Sequence, residues 1–162
     1  MKGMSIVRGA KFVAVIFGAL AIAGCAKHDA DPTNAMASAA VPGSQQDFVV
    51  NVGDRVFFDT DSSNLSEQAR ATLDKQAEWL NHYSQYAFTI EGNADERGTR
   101  EYNIALGARR AQTVRDYLIS RGIAAQRMRT ISYGKERPVA TCDDISCWSQ
   151  NRRAVTALDQ SS

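Results

Sequence analysis

The chain has 162 residues, 44% of them hydrophobic and 23% charged, with a formal net charge of +1. That length holds one domain of common size plus a short appendage, and excludes a large barrel joined to a soluble domain. The near-neutral balance excludes a general nucleic-acid binder, which would carry a strongly basic domain.

The first 24 residues carry only Lys2, Arg8 and Lys11 as charges. With those set aside, 16 basic residues face 18 acidic ones, a net of about −2. Phe12 to Ala23 is an uninterrupted apolar or small run. As a helix it would rise about 18 Å, short of the roughly 30 Å hydrocarbon core, so residues 1–24 read as a cleaved signal segment. The run Ile22-Ala23-Gly24-Cys25 resembles a bacterial lipobox, which implies that Cys25 is lipidated and becomes the mature N-terminus. Acyl chains contribute about 0.8 kcal/mol per buried CH₂, enough for stable anchoring when several are attached.

Residues 25–47 are expected to form the lipidated end and a flexible tether. They contain Pro32 and Pro42 and almost no large apolar side chains, so burial cannot offset the entropy of ordering them. Their relaxed span is about 26 Å and their extended limit about 75 Å.

From residue 48 to 162 the hydrophobic period alternates between strand and helix types. Arg55 to Phe58 reads as a strand. Leu65, Ala69, Leu73, Ala77 and Leu80 mark one face of a helix, with Ser66 as its N-cap. Ala87 to Ile90 is a second strand, followed by the polar run Glu91 to Gly98. A second helix is expected from about Arg100 to Arg121, burying Ile104, Ala108, Ala111, Val114 and Leu118, with Gly122 as its stop. Met128 to Tyr133 and Arg153 to Leu158 complete the strands, separated by a polar loop. The expected fold is an α/β (α+β) two-layer sandwich: a small mixed four-stranded sheet with two main helices on one face. In the loop, Cys142 and Cys147 read first as a local disulfide in an oxidising compartment. A zinc site would need two further ligands, and a redox pair would usually be Cys-x-x-Cys.

Catalytic residues are not expected. The two histidines are His28, in the tether, and His82, near a helix end, and no nucleophile–His–acid arrangement can be assembled from the domain. No metal or cofactor is implied either. Arg152 and Arg153 read as structural, one pairing with acidic groups near the sheet end and the other solvated. Trp79 and Trp148 read equally as partner anchors or as partly buried core.

The run Glu91 to Ala111 (EGNADERGTREYNIALGARRA) resembles the signature of the OmpA-like peptidoglycan-binding domain family. Phe57-Phe58-Asp59-Thr60-Asp61, Ser132 to Pro138 and Asn151 to Val155 match in the same order, so the resemblance covers about residues 50 to 158. Asn93 stands where many members have histidine. The resemblance implies non-covalent binding of diaminopimelate-containing stem peptides. Asp95 would take the ligand's ammonium, Arg110 its carboxylate and Leu106 its aliphatic stem, with Thr60, Asp61 and Arg97 at the rim. Together with the lipobox it implies a lipid-anchored, non-enzymatic link between outer membrane and cell wall. Its domain would face the periplasm, with peptidoglycan, TolB and other Tol proteins as partners and no nucleic acid. An adaptor for another envelope protein, built on the same scaffold, is the alternative.

Overall fold

The computed structural model describes residues 40–159. The expected signal segment, Cys25 and the tether as far as residue 39 lie outside them.

The chain enters through a single helical turn, α1 (Gln45–Asp47), capped by Ser44 Oγ, and continues into a wider turn over Phe48–Val52. Gly53 ends that turn at φ 92°, a conformation that favours glycine, and its N–H donates to Phe48 O. The remaining strands and α-helices are β1 (Arg55–Phe57), α2 (Glu67–His82), β2 (Phe88–Asn93), α3 (Arg100–Ser120), β3 (Met128–Gly134), α4 (Ile145–Asn151) and β4 (Arg153–Leu158), with a 3₁₀ turn over Ala125–Arg127 before β3.

The sheet order is β1-β4-β2-β3. β4 runs antiparallel to both β1 and β2, while β2 and β3 are parallel and joined through α3, the crossover that parallel neighbours require. The sheet is therefore mixed and four-stranded, with the two long helices the sequence predicts.

Both helices begin where their caps allow. Ser66 accepts from the Ala69 N–H and Thr99 from the Tyr102 N–H, each relieving one orphan donor of the first turn. The predicted face of α2 is buried in full: Leu65, Ala69, Leu73, Ala77 and Leu80 meet Val56, Phe88, Ile90 and Ala154 of the sheet. Completely buried side chains such as Leu73 and Phe88 each contribute about 1.5–3 kcal/mol by leaving water.

α3 departs from its expected face. Ala111, Val114 and Leu118 are buried, but Ile104 is half-buried and Ala108 exposed, while Asn103, Leu106, Gly107 and Arg110 point inward. The cause is a backbone contact. Gly107 lies so close to Gly92 of β2 that a Cβ on Gly92 would sit 1.8 Å from Gly107 O, and this approach sets the rotation of the helix.

Three more differences have physical causes. β2 runs on through Glu91, Gly92 and Asn93 because its backbone is paired with β3 along that length and with β4 as far as Gly92, which needs no apolar side chain. The cysteine loop contains α4, whose N-cap Asp144 accepts from Ser146 N–H, and Cys142 and Cys147 are bridged with Cα atoms 5.6 Å apart. The end of the expected tether lies on the domain. Tyr86 Oη donates to Gly43 O (2.7 Å), Gln45 Nε2 to Leu158 O (3.0 Å) and Trp79 Nε1 to Asp47 Oδ2 (2.9 Å). Trp79 is thus a core residue, packed against Phe48, Tyr83 and Tyr86. Among the described residues no helix is long and apolar enough to cross a membrane.

Candidate ligand-binding cleft

β2 ends in an irregular step between Gly92 and Asn93, and Ala94 N–H then bonds Gly134 O at 2.8 Å. The chain leaves the sheet at that point and reaches the cap of α3 through Asp95 to Thr99. This loop is held from three sides. Asn103 Nδ2 donates to Arg97 O (2.7 Å), Lys135 Nζ to Glu96 O (3.0 Å) and Gly98 O (2.8 Å), and Trp148 Nε1 to Glu96 Oε1 (2.9 Å). The facing wall is the segment after β1, where Asp61 adopts a left-handed φ of 55° and accepts from Tyr102 Oη.

Arg110 joins the two walls. It is fully buried on α3 and donates from Nε to Ser62 O (2.8 Å), from Nη1 to Asn93 O (2.8 Å) and from Nη2 to Asp59 O (3.0 Å). Its guanidinium also lies 5.1 Å from the Phe58 ring. Burial, reinforced by the Arg152 charge, pushes its pKa down to about 10, so it remains a cation at neutral pH. Three of its five N–H groups are engaged by the protein, which leaves two.

Asp95 is buried beside two arginines. Arg97 Nη2 lies 2.7 Å and Arg152 Nη1 3.3 Å from its Oδ2. Burial works to raise this carboxyl, but the Arg97 side chain, the Arg97 backbone N–H and Arg152 together hold it below the usual value. Among the described residues no ion pair within 4 Å joins Asp95 to Arg110. Each charge is held by other partners, and both face one hollow.

That hollow is a cleft of about 280 Å³, lined by Thr60, Asp61, Asp95, Arg97, Leu106 and Arg110 together with Gly98, Tyr102 and Asn103. All six ligand-binding residues expected from the sequence therefore share one space: Leu106, Asp95 and Arg110 buried at its floor, Thr60, Asp61 and Arg97 exposed at its edge. A larger hollow of about 540 Å³ lies over α2 between Asn51 and His82 and contains none of them. Among the described residues there is no cluster of three or more His, Cys, Asp or Glu side chains able to hold a metal.

The sequence reading misses three contributors. Arg152 is buried and makes the pairing expected of one of the two arginines with an acidic group near the sheet end, but that group is Asp95, just past β2, which brings Arg152 into the site. Trp148 is half-buried on α4 with the Arg97 guanidinium 4.2 Å from its ring centroid. Tyr102 holds Asp61. Nothing local in the chain marks these residues, since each acts on a partner at least 41 positions away. Arg153, expected among the alternatives to be solvated, is buried, with Nη2 donating to Arg137 O at 3.1 Å under the loop that follows β3. Asn93 is buried as well, its Nδ2 donating to Glu91 O and its side-chain carbonyl without a partner.

An OmpA family model matches residues 57–152. A protein of Rhizobium meliloti named "Peptidoglycan-associated lipoprotein" is 64% identical over 159 residues, covering 95% of this chain and 90% of the relative. One of the same name from Mesorhizobium japonicum is 66% identical over 145 residues, 86% of each chain. The crystal structure of the peptidoglycan-associated lipoprotein from Burkholderia pseudomallei superposes with a TM-score of 0.64 at 43% identity, covering 65% of this chain and 90% of that one. The C-terminal domain of Helicobacter pylori MotB, at 20% identity, shares the fold with a TM-score of 0.62 over 67% of this chain and 86% of that one. The chain belongs to the OmpA family, in the branch whose members are named peptidoglycan-associated lipoproteins.

Proposed function

We propose that this protein is a lipid-anchored, non-enzymatic tether that grips the cell wall by binding the diaminopimelate-containing stem peptide of peptidoglycan. The observation that carries this reading is the cleft itself, where an anion, a cation with two unused N–H groups and an apolar floor share about 280 Å³. A diaminopimelate side chain ends in an ammonium and a carboxylate on one carbon, reached through an aliphatic stem. Asp95 answers the first, Arg110 the second and Leu106 the third. Cys25 carries the lipid and sets the protein on the outer membrane with its domain in the periplasm. TolB and other Tol proteins are the partners that move it along the wall or release it from the wall.

The test is co-sedimentation of the full chain in detergent with diaminopimelate-type sacculi, beside Asp95→Asn checked by circular dichroism to be folded at the assay temperature. Saturable pelleting that weakens about tenfold in the variant supports the reading, a loss on the scale of one buried charge-assisted hydrogen bond. Wild-type protein that stays in the supernatant, or a folded variant that pellets equally well, overturns the assignment.

A further inference from the structure

A carboxylate offers about four lone-pair positions, and those of Asp95 are already filled by the protein. Oδ1 accepts from the Arg97 backbone N–H and from Arg97 Nε, both at 3.2 Å. Oδ2 accepts from Arg97 Nη2 at 2.7 Å and Arg152 Nη1 at 3.3 Å. A ligand ammonium therefore finds no free acceptor on Asp95 until one donor leaves.

The donors differ in how firmly they are placed. The Arg152 side chain is 8% exposed and fixed by Nε to Phe58 O at 3.0 Å. The Arg97 backbone is pinned through its carbonyl by Asn103 and on either side by Lys135. Only the Arg97 side chain is open to solvent, at 41%, and it contributes two of the four bonds. It also has a second place to rest. Its guanidinium already lies over the Trp148 ring, and its Nη2 is 3.5 Å from Thr60 Oγ1 at the cleft edge.

We propose that Arg97 is a resident cation which the ligand's ammonium must displace from Asp95, and that this exchange makes the cleft select a zwitterionic end group over a lone ammonium. The proposal rests on the stem-peptide reading above. Arg97, Arg110 and Arg152 face Asp61, Asp95 and Glu96, so the charges around the site balance before any ligand enters. A lone ammonium adds a fourth cation that nothing balances, and the guanidinium it displaces keeps only Glu96, whose carboxylate is bonded to Trp148, as a counter-ion. A zwitterion brings its own carboxylate, to which the freed Arg97 fork and the two unused N–H groups of Arg110 can both donate. Trp148 is the positioning residue in this scheme. Stacking on its face keeps the planar guanidinium at the mouth of the cleft when it leaves Asp95, a role that a lysine ammonium fills poorly.

The experiment is calorimetric titration of the full chain in detergent with two synthetic stem peptides, identical except for meso-diaminopimelate or lysine at the third residue. Wild type is expected to prefer the diaminopimelate peptide. In Arg97→Gln the lysine peptide should bind about threefold tighter than to wild type, the scale of one exposed ion pair, while the diaminopimelate peptide gains nothing, so the preference narrows. Trp148→Leu should narrow it in the same direction by weakening the diaminopimelate peptide alone, and Arg97→Lys should restore part of it. Equal changes for both peptides in Arg97→Gln would mean a merely structural role and would overturn the exchange while leaving the stem-peptide reading intact. Wild type binding neither peptide removes that reading and the exchange together.

Discussion

Arg110 gathers the carbonyls of Asp59, Ser62 and Asn93, groups that come from the loop after β1 and the end of β2. Removing it leaves three inward carbonyls without donors, so Arg110→Ala should lower unfolding stability by about 3–5 kcal/mol, the range for breaking a buried, hydrogen-bonded charge. Arg110→Lys should recover less than half of that, because a compact ammonium cannot span the three acceptors of a planar fork. Urea denaturation followed by circular dichroism measures both, and variants that melt like wild type would show that the loops hold without the arginine. Lost ligand binding in Arg110→Ala therefore reports folding as well as binding, whereas the near-isosteric Asp95→Asn leaves the three carbonyl bonds of Arg110 in place. The motif made Asp95 and Arg110 legible as an anion and a cation of one site. It left their immediate partners unread, because backbone carbonyls bond alike whatever residue carries them.

The closest joint between elements is the contact of α3 with β2. A Cβ on Gly107 would lie 2.4 Å from Ser132 Oγ and 2.8 Å from Gly92 O, and one on Gly92 1.8 Å from Gly107 O. Gly107→Ala gains about 1 kcal/mol of helix propensity and loses about 1–3 kcal/mol or more to overpacking, so the loss wins. Thermal melting should place Gly107→Ala below wild type and Gly92→Ala lower still, since Ser132 can turn its hydroxyl aside while the Gly107 carbonyl cannot move without the helix. α4 supplies a second element-scale prediction. Opening its six-residue disulfide loop in a Cys142→Ser, Cys147→Ser double variant should cost about 2 kcal/mol by the chain-entropy model, read from chemical denaturation. Periodicity made α2, its buried face and the succession of strands along the chain legible, because those elements bury a simple apolar stripe. It placed α3 about one position out of phase near the cleft, where a glycine contact and the inward side chains of Asn103 and Arg110 interrupt that stripe. It gave no sign of α4, which is too short to show a period and is fixed by a cap, a disulfide and the bonds of Asn151 to Val139 and Ala140.

Across the whole described molecule, the chain enters at one end of β2 and the cleft opens at the other. Gly43, Gln45 and Asp47 fasten to Tyr86, Leu158 and Trp79, beside Phe88, while Asp95 lies just past Asn93. Five residue steps of strand, about 17 Å, separate the two ends. The strap over residues 43–47 therefore fastens the chain's entry to the end of β2 opposite the cleft. The strap depends on one carboxylate. Bonds from Trp79, then Asn51 and the Gly43 N–H, hold Asp47 below the ordinary carboxylate pKa, against a smaller opposing effect of burial. A depressed carboxylate contributes stability that is complete above its unfolded pKa of about 3.9 and disappears as pH falls through its lower folded value. Asp95 is depressed in the same sense at the far end. Stability should consequently hold steady from neutral pH to about pH 4 and decline below it. In a Trp148→Phe background, Trp79 fluorescence reports the strap alone, and its acid change should vanish in Asp47→Ala and in a chain beginning at Phe48. An unchanged acid transition in those two variants would show that the aromatic cluster, not the carboxylate, holds the strap to the domain.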